Sequence, residues 1–168
     1  ARRGSSSLPA TMQPFGEMLV SWSARGEAGQ LTGAEPSAAP AALAGDRLMS
    51  GFYVNELLIR LLQRHDPHPA LYDAYAQVVA GLRDPAADQA RSLRIFEKRL
   101  LEEIGWGLDL VHEAGSGGPI EPQRAYRYRL DGGAEAVDGV AEDLLVFPGE
   151  SLLSLACERL DAPRHLAD

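Results

Sequence analysis

A single cysteine, Cys157, serves a chain of 168 residues, which excludes an internal disulfide framework and any cysteine-cluster zinc site. One leftover thiol fits a reducing cytoplasm better than secretion. No apolar run reaches the roughly 18 residues that a membrane-spanning helix needs, and Arg2 and Arg3 have no apolar segment behind them to make a signal peptide. Positive charge is also scarce: the net charge is −8, and Lys98 is the only lysine. That balance argues against indiscriminate nucleic-acid binding by the stretch as a whole. The shortage is uneven, because past Asp131 the only cations are Arg159 and Arg164, while Arg124, Arg127 and Arg129 fall close together.

What the chain has in abundance is helical periodicity between Asp46 and Leu110. In the first segment Met49, Phe52, Tyr53, Leu57, Leu61 and Leu62 recur at spacings of three and four. Leu48, Val54, Leu58 and Ile59 widen that face until the helix reads as apolar nearly all round, the pattern of a central helix in a small bundle. Asp46 is placed to cap it, and it ends near Gln63. Pro69 opens a second helix striped by Leu71, Tyr72, Tyr75, Val78, Val79 and Leu82. Asp84-Pro85 stops it, and a third helix carries Leu93, Phe96, Leu100, Leu101 and Ile104 up to a C-terminal cap at Gly105.

On either side the period falls to two. Met18, Val20 and Trp22 alternate as a strand does, 25–27 make a turn, and 29–32 begin a returning strand. The proline-bearing segment 34–40 reads as a linker and places a domain boundary. Later, 125–130 alternates aromatic and basic residues, 131–133 turns the chain, and the apolar run 144–147 pairs back on it. Residues 150–160 then make a short amphipathic helix with Cys157 on its apolar side, where a small buried hydrophobe is the default.

Catalytic chemistry finds little support. His65, Asp66 and His68 are three ligand-type residues without a partner motif, and a polar interhelical turn explains them better than a metal site. The loop 115–119 lacks the Lys-Ser/Thr ending of a phosphate cradle, His112-Glu113 does not extend to HExxH, and Ser116 has no nucleophile elbow. A binding protein without cofactor or metal is the expected class. Two surfaces fit it. Arg127 and Arg129 share one face of a strand with Tyr126 and Tyr128 on the other, which suits phosphates and bases or is a half-buried strand with a solvated cationic face. Arg91, Arg94 and Lys98 share a face of the third helix beside its apolar stripe, which suits an acidic peptide with an apolar end or is an ordinary solvated face.

Three runs carry a resemblance: 51–58 (GFYVNELL), 65–72 (HDPHPALY) and 93–110 (LRIFEKRLLEEIGWGLDL), in that order and at that distance. Together they resemble the bacterial recombination mediator family RecO. Gln13-Pro14-Phe15 and the stretch 25–35 are similar to the later strands of that family's N-terminal OB barrel. The resemblance implies that the first OB strands and a basic C-terminal segment lie outside this stretch. It implies binding of single- and double-stranded DNA, annealing of complementary strands, and help to RecA in displacing single-stranded-DNA-binding protein (SSB), with RecR as working partner. Arg2 and Arg3 match a DNA-contacting loop of the barrel, and Arg25 joins Arg127 and Arg129 as a DNA-binding candidate. Arg94 matches an arginine implicated in holding the acidic C-terminal tail of SSB, with Arg91 and Lys98 beside it. Many relatives carry a four-cysteine zinc site after the L-D-L run. Here His112, Glu113 and Ala114 stand there, so no structural zinc is expected and 112–145 must be held by strand pairing and packing.

The expected architecture is α+β: part of an OB-type barrel with its linker over residues 1–40, then an α-helical domain over 41–168 with a β insertion at about 111–147. The expected role is a non-enzymatic recombination mediator in the cytoplasm, associated with the nucleoid and making no membrane contact. The competing reading is a helical protein-interaction module that never touches DNA.

Overall fold

The computed structural model describes residues 14–25, 28–37, 42–137 and 146–161. Strands β1 (Met18–Arg25) and β2 (Ala28–Pro36) form an antiparallel pair. Helices α1 (Gly45–Leu61), α2 (Pro69–Arg83) and α3 (Gln89–Glu103) follow. Strands β3 (Ala125–Arg129), β4 (Gly133–Val137) and β5 (Val146–Pro148) lead into α4 (Gly149–Ala156). The second sheet has the order β4-β3-β5, all antiparallel, so β3 is its middle strand. The α+β architecture expected from the sequence, strands followed by a helical domain with a small sheet, is what the chain adopts.

Several boundaries differ from the pattern reading. β2 continues through Ala34 and Glu35 to Pro36, which pair with Val20, Leu19 and Met18, so this end of the expected linker is strand. Proline is tolerated there because it sits at a strand end, where a missing N–H costs little. Residues 38–41 lie outside the described residues. Asp46 does not cap α1: Ala44 holds that position without a side-chain bond, and Asp46 lies in the first turn, where its charge still complements the helix dipole.

The larger difference concerns α1, which is not the central helix. Its buried residues are Gly51 and Val54, whereas Met49, Phe52, Tyr53, Ile59 and Leu61 are exposed. The first core is built instead on α2 and α3: Leu71, Ala74, Val78, Val79 and Leu82 face Phe96 and Leu100, with Leu43 and Val54 closing one side. These residues recur at three and four along two helices joined by a short connection, so the pair buries its stripes mutually. Asp88 starts α3 by accepting the Arg91 N–H at 3.0 Å, and Gly105, just past the end, adopts φ +84° as a left-handed cap requires.

One side chain ties α1 to the end of α2 and the connection that follows it. Arg47 Nη1 donates to the carbonyls of Gly81 (3.1 Å), Leu82 (3.3 Å) and Asp84 (2.8 Å), and Nη2 to those of Pro85 (3.4 Å) and Ala87 (2.9 Å). The acceptors are the orphan carbonyls of the last turn of α2 and the connection to α3, where a cation also complements the helix dipole.

A second core forms under the small sheet from Leu110, Ile120, Tyr126, Ala134 and Leu152. β4 was not anticipated, because its Gly-Ala-Glu-Ala-Val composition carries almost no strand propensity. α4 ends earlier than its pattern indicated. Cys157 terminates it and is exposed rather than buried, because Glu158 turns left-handed (φ 56°) and redirects the chain.

Candidate functional site

Between α3 and the small sheet with α4 lies a groove of about 310 Å³, lined in part by the second core. α3 contributes Arg94 and Leu101, the segment after it Leu108 and Leu110, and the sheet Tyr128, Leu130 and Phe147. α4 and its end contribute Ser151, Leu152, Leu155 and Leu160. Among the described residues, every lining residue but Arg94 is uncharged. An apolar slot with a single cation takes an apolar group joined to a carboxylate.

Arg94 is held rather than loose. Its Nη1 lies 2.7 Å from Glu97 Oε2, and Glu97 Oε1 accepts the Tyr53 hydroxyl of α1 at 2.8 Å. Burial first, then the bond to Glu97, pushes the Tyr53 phenol up to about 12, so it remains a donor at neutral pH. The Arg94 side chain stays almost half open to solvent, at 46 % exposure. In the groove wall the hydroxyl of Ser151 is buried without a hydrogen-bond partner among the described residues.

Arg91 and Lys98 share a side of the helix with Arg94 but have different partners. Arg91 Nε donates to the Arg159 carbonyl at 2.6 Å and its Nη2 to the Glu158 carbonyl at 2.9 Å. Lys98 lies 2.8 Å from Glu102 and 3.2 Å from Glu158, with only 12 % of its side chain exposed. Of the three expected peptide-binding cations, Arg94 alone lines the groove. Sequence reasoning found that arginine but neither its slot nor Glu97. The i, i+3 spacing of Arg94 and Glu97 on a helix is the one local signal that pointed to their pairing.

The cations expected to meet DNA are dispersed. Arg127 and Arg129 alternate with Tyr126 and Tyr128 along β3, and Tyr126 is fully buried. Glu135 of β4 lies directly across the ladder from Arg127, and Asp131 lies 3.7 Å from Arg129. Both arginines therefore have a carboxylate as neighbour. Arg25 is the last residue of β1, where it pairs with Ala28 of β2. Arg2 and Arg3 lie outside the described residues.

The insertion is organised by the carboxylate of Glu113, which the sequence reading takes only as a residue outside any HExxH or zinc motif. Glu113 Oε1 accepts the Tyr126 hydroxyl (3.0 Å) and Arg124 Nη1 (3.2 Å), while Oε2 accepts the Ser116 hydroxyl (2.9 Å). The Tyr126 oxygen in turn accepts the Glu121 N–H at 2.8 Å, and the Ala114 N–H donates to the Ala134 carbonyl at 2.7 Å. Strand pairing and packing are thus joined by this polar centre between the loop and β3. At the other candidate, His68 lies 3.2 Å from Glu103 and 3.4 Å from Asp66, a polar contact between helix ends.

Three carboxyls sit below their ordinary range. Hydrogen bonds from Ser116 and Tyr126 lower Glu113, the Arg99 hydrogen bond lowers Glu158, and backbone N–H groups of Val111 and His112 lower Asp109. A depressed carboxyl contributes stability that is complete above its unfolded pKa, about 4.3 for Glu and 3.9 for Asp, and is lost as pH falls through the folded value. The expected melting temperature is therefore level between about pH 6 and 8 and drops below about pH 4. Thermal melts at stepped pH check this, and Glu113→Gln should make the acid limb shallower. Superimposable limbs for parent and variant would remove Glu113 from the account.

Residues 43–151 match the family described as Recombination protein O C terminal. The chain is 49% identical over 148 residues to the DNA repair protein RecO of Alkalilimnicola ehrlichii, covering 86% of this chain and 57% of that protein. It is 45% identical over 163 residues to the DNA repair protein RecO of Methylococcus capsulatus, covering 96% of this chain and 65% of the relative. A third DNA repair protein RecO, from Photobacterium profundum, is 37% identical over 166 residues, covering 99% and 69%. The chain thus spans between 57% and 69% of these three relatives' length.

Proposed function

Because the chain belongs to the RecO family, we propose that it serves DNA repair and homologous recombination as a mediator, working by binding and not by catalysis. In this reading it binds single- and double-stranded DNA, anneals complementary strands and, with RecR, helps load RecA onto SSB-coated DNA in the cytoplasm and at the nucleoid. Residues 1–40 are the DNA-facing β part and 41–168 the helical part.

The observation that supports it most is the groove with Arg94 as the only charge among its described lining residues. An acidic C-terminal tail with an apolar last residue places that side chain in the slot and its carboxylates on the guanidinium, as the tail of SSB would. Arg91 and Lys98 belong to the same face and contribute positive potential along it. DNA contact is assigned to Arg2, Arg3 and Arg25 on the β side, with Arg127 and Arg129 on the insertion. The carboxylates beside the last two favour, for the insertion, the second reading of a protein-interaction module without direct DNA contact.

One experiment addresses both halves. In the intact protein, Arg94→Ala is expected to weaken binding of a fluorescent SSB-tail peptide at least about tenfold, the scale of one charge-assisted contact. Binding of labelled single-stranded DNA, and its decline with salt, stays unchanged. Equal peptide affinity for both proteins removes the site. No DNA binding by either protein at low salt leaves the interaction-module reading.

A further inference from the structure

Leu160 lines the groove and is 3 % exposed, although it lies beyond the end of α4. The backbone brings it there through two left-handed residues, with φ of 56° at Glu158 and 44° at Leu160. Side chains rarely adopt that region, and such a turn persists only where its surroundings over-determine it. Three cations of α3 do so here. Arg99 grips the Glu158 carboxylate with one edge of its guanidinium, Nη2 at 2.6 Å from Oε2 and Nε at 3.1 Å from Oε1. Lys98 Nζ lies 3.2 Å from the same Oε1. Arg91 holds the carbonyls of Glu158 and Arg159, and the Leu160 N–H donates to Ser154 Oγ at 2.9 Å. All of these cations sit on the helix that carries Arg94.

We propose that Glu158 is a positioning residue for the groove: its latch onto Arg91, Lys98 and Arg99 holds Leu160 in the wall against which the apolar end of an acidic peptide packs. This rests on the groove being a peptide site, as proposed above. It gives Arg91 and Lys98 a task other than contact with the ligand: with Arg99 they shape the slot, and Arg94 meets the charge. The bidentate Arg99 contact matters because it fixes direction as well as distance.

The alternative is that Glu158 occupies a cation cluster that the ligand's own carboxylates would otherwise use. The two predict opposite signs. With a fluorescein-labelled synthetic peptide of aspartates ending in phenylalanine, the latch predicts weaker binding to Glu158→Gln, by about fivefold, and to Leu160→Ala, by about tenfold. Because both changes act on one wall, the double variant should lose about tenfold rather than the fiftyfold of independent effects. Arg99→Gln, which opens the same latch from α3, should match Glu158→Gln and so covers poor folding of either single variant. Helical circular dichroism confirms that each variant compared is folded. Tighter binding to Glu158→Gln, or fully additive losses in the double variant, would overturn the latch while leaving the peptide site intact. No binding by the parent protein would overturn the peptide reading, and this inference with it.

Discussion

Gly149→Ala is expected to lower the melting temperature by about 6–20 °C. Gly149 sits where β5 passes into α4, pressed against the loop before β3. A Cβ built there falls on the Glu121 carbonyl oxygen and 3.0 Å from Tyr126 Cε2. The obstacle is backbone, so no side-chain rotation relieves it. The junction has to move away from the loop, which strains the Gly149 N–H bond to the Arg124 carbonyl (2.8 Å) and the Glu150 N–H bond to the Pro122 carbonyl (3.1 Å). Overpacking of about 1–3 kcal/mol and two weakened hydrogen bonds at about 1 kcal/mol each give a loss near 3–5 kcal/mol. Ser151, Leu152 and Leu155 of α4 line the groove, so peptide affinity should fall as well. A variant melting within about 2 °C of its parent would mean that the junction relaxes freely.

The second large effect is expected at Arg47. Arg47→Ala leaves the carbonyls of Gly81, Leu82, Asp84, Pro85 and Ala87 without the guanidinium that they share. Several of them are partly open to water, which takes over some of the bonding, so the expected loss is about 2–3 kcal/mol. Urea unfolding should show a lower midpoint with an unchanged slope. Arg47→Lys discriminates between causes. An ammonium restores the charge at the end of α2 but not the planar fork, so it should recover less than half of the loss. Full recovery by lysine would reduce Arg47 to a simple charge on the helix dipole.

What was legible in the chain was whatever depends on neighbours in sequence. Pro69, Asp84-Pro85 and Gly105 punctuate α2 and α3 by local backbone chemistry, and the alternation from Ala125 to Arg129 marks β3. The arrangement of α1 was not legible, because periodicity reports which residues are apolar and not which of them another element covers. β4 escaped because glycine and alanine pair well enough when a neighbouring strand supplies the register, yet advertise nothing alone. The groove was half visible. Arg94 stood out as a cation beside an apolar stripe, but its slot gathers side chains from α3, the segment after it, the sheet and α4. Glu158 lies some sixty positions from Lys98 and Arg99, and no spacing rule reaches that far.

Cys157 turns the end of α4 into a place from which the groove can be watched. It is the sole thiol of the chain, it faces water, and it immediately precedes Glu158. A maleimide dye attached there needs no competing cysteine removed from this sequence, and its emission should respond when the neighbouring turn shifts or stiffens. Occupancy could then be followed in real time, on unlabelled peptide, by a probe that sits outside the slot itself.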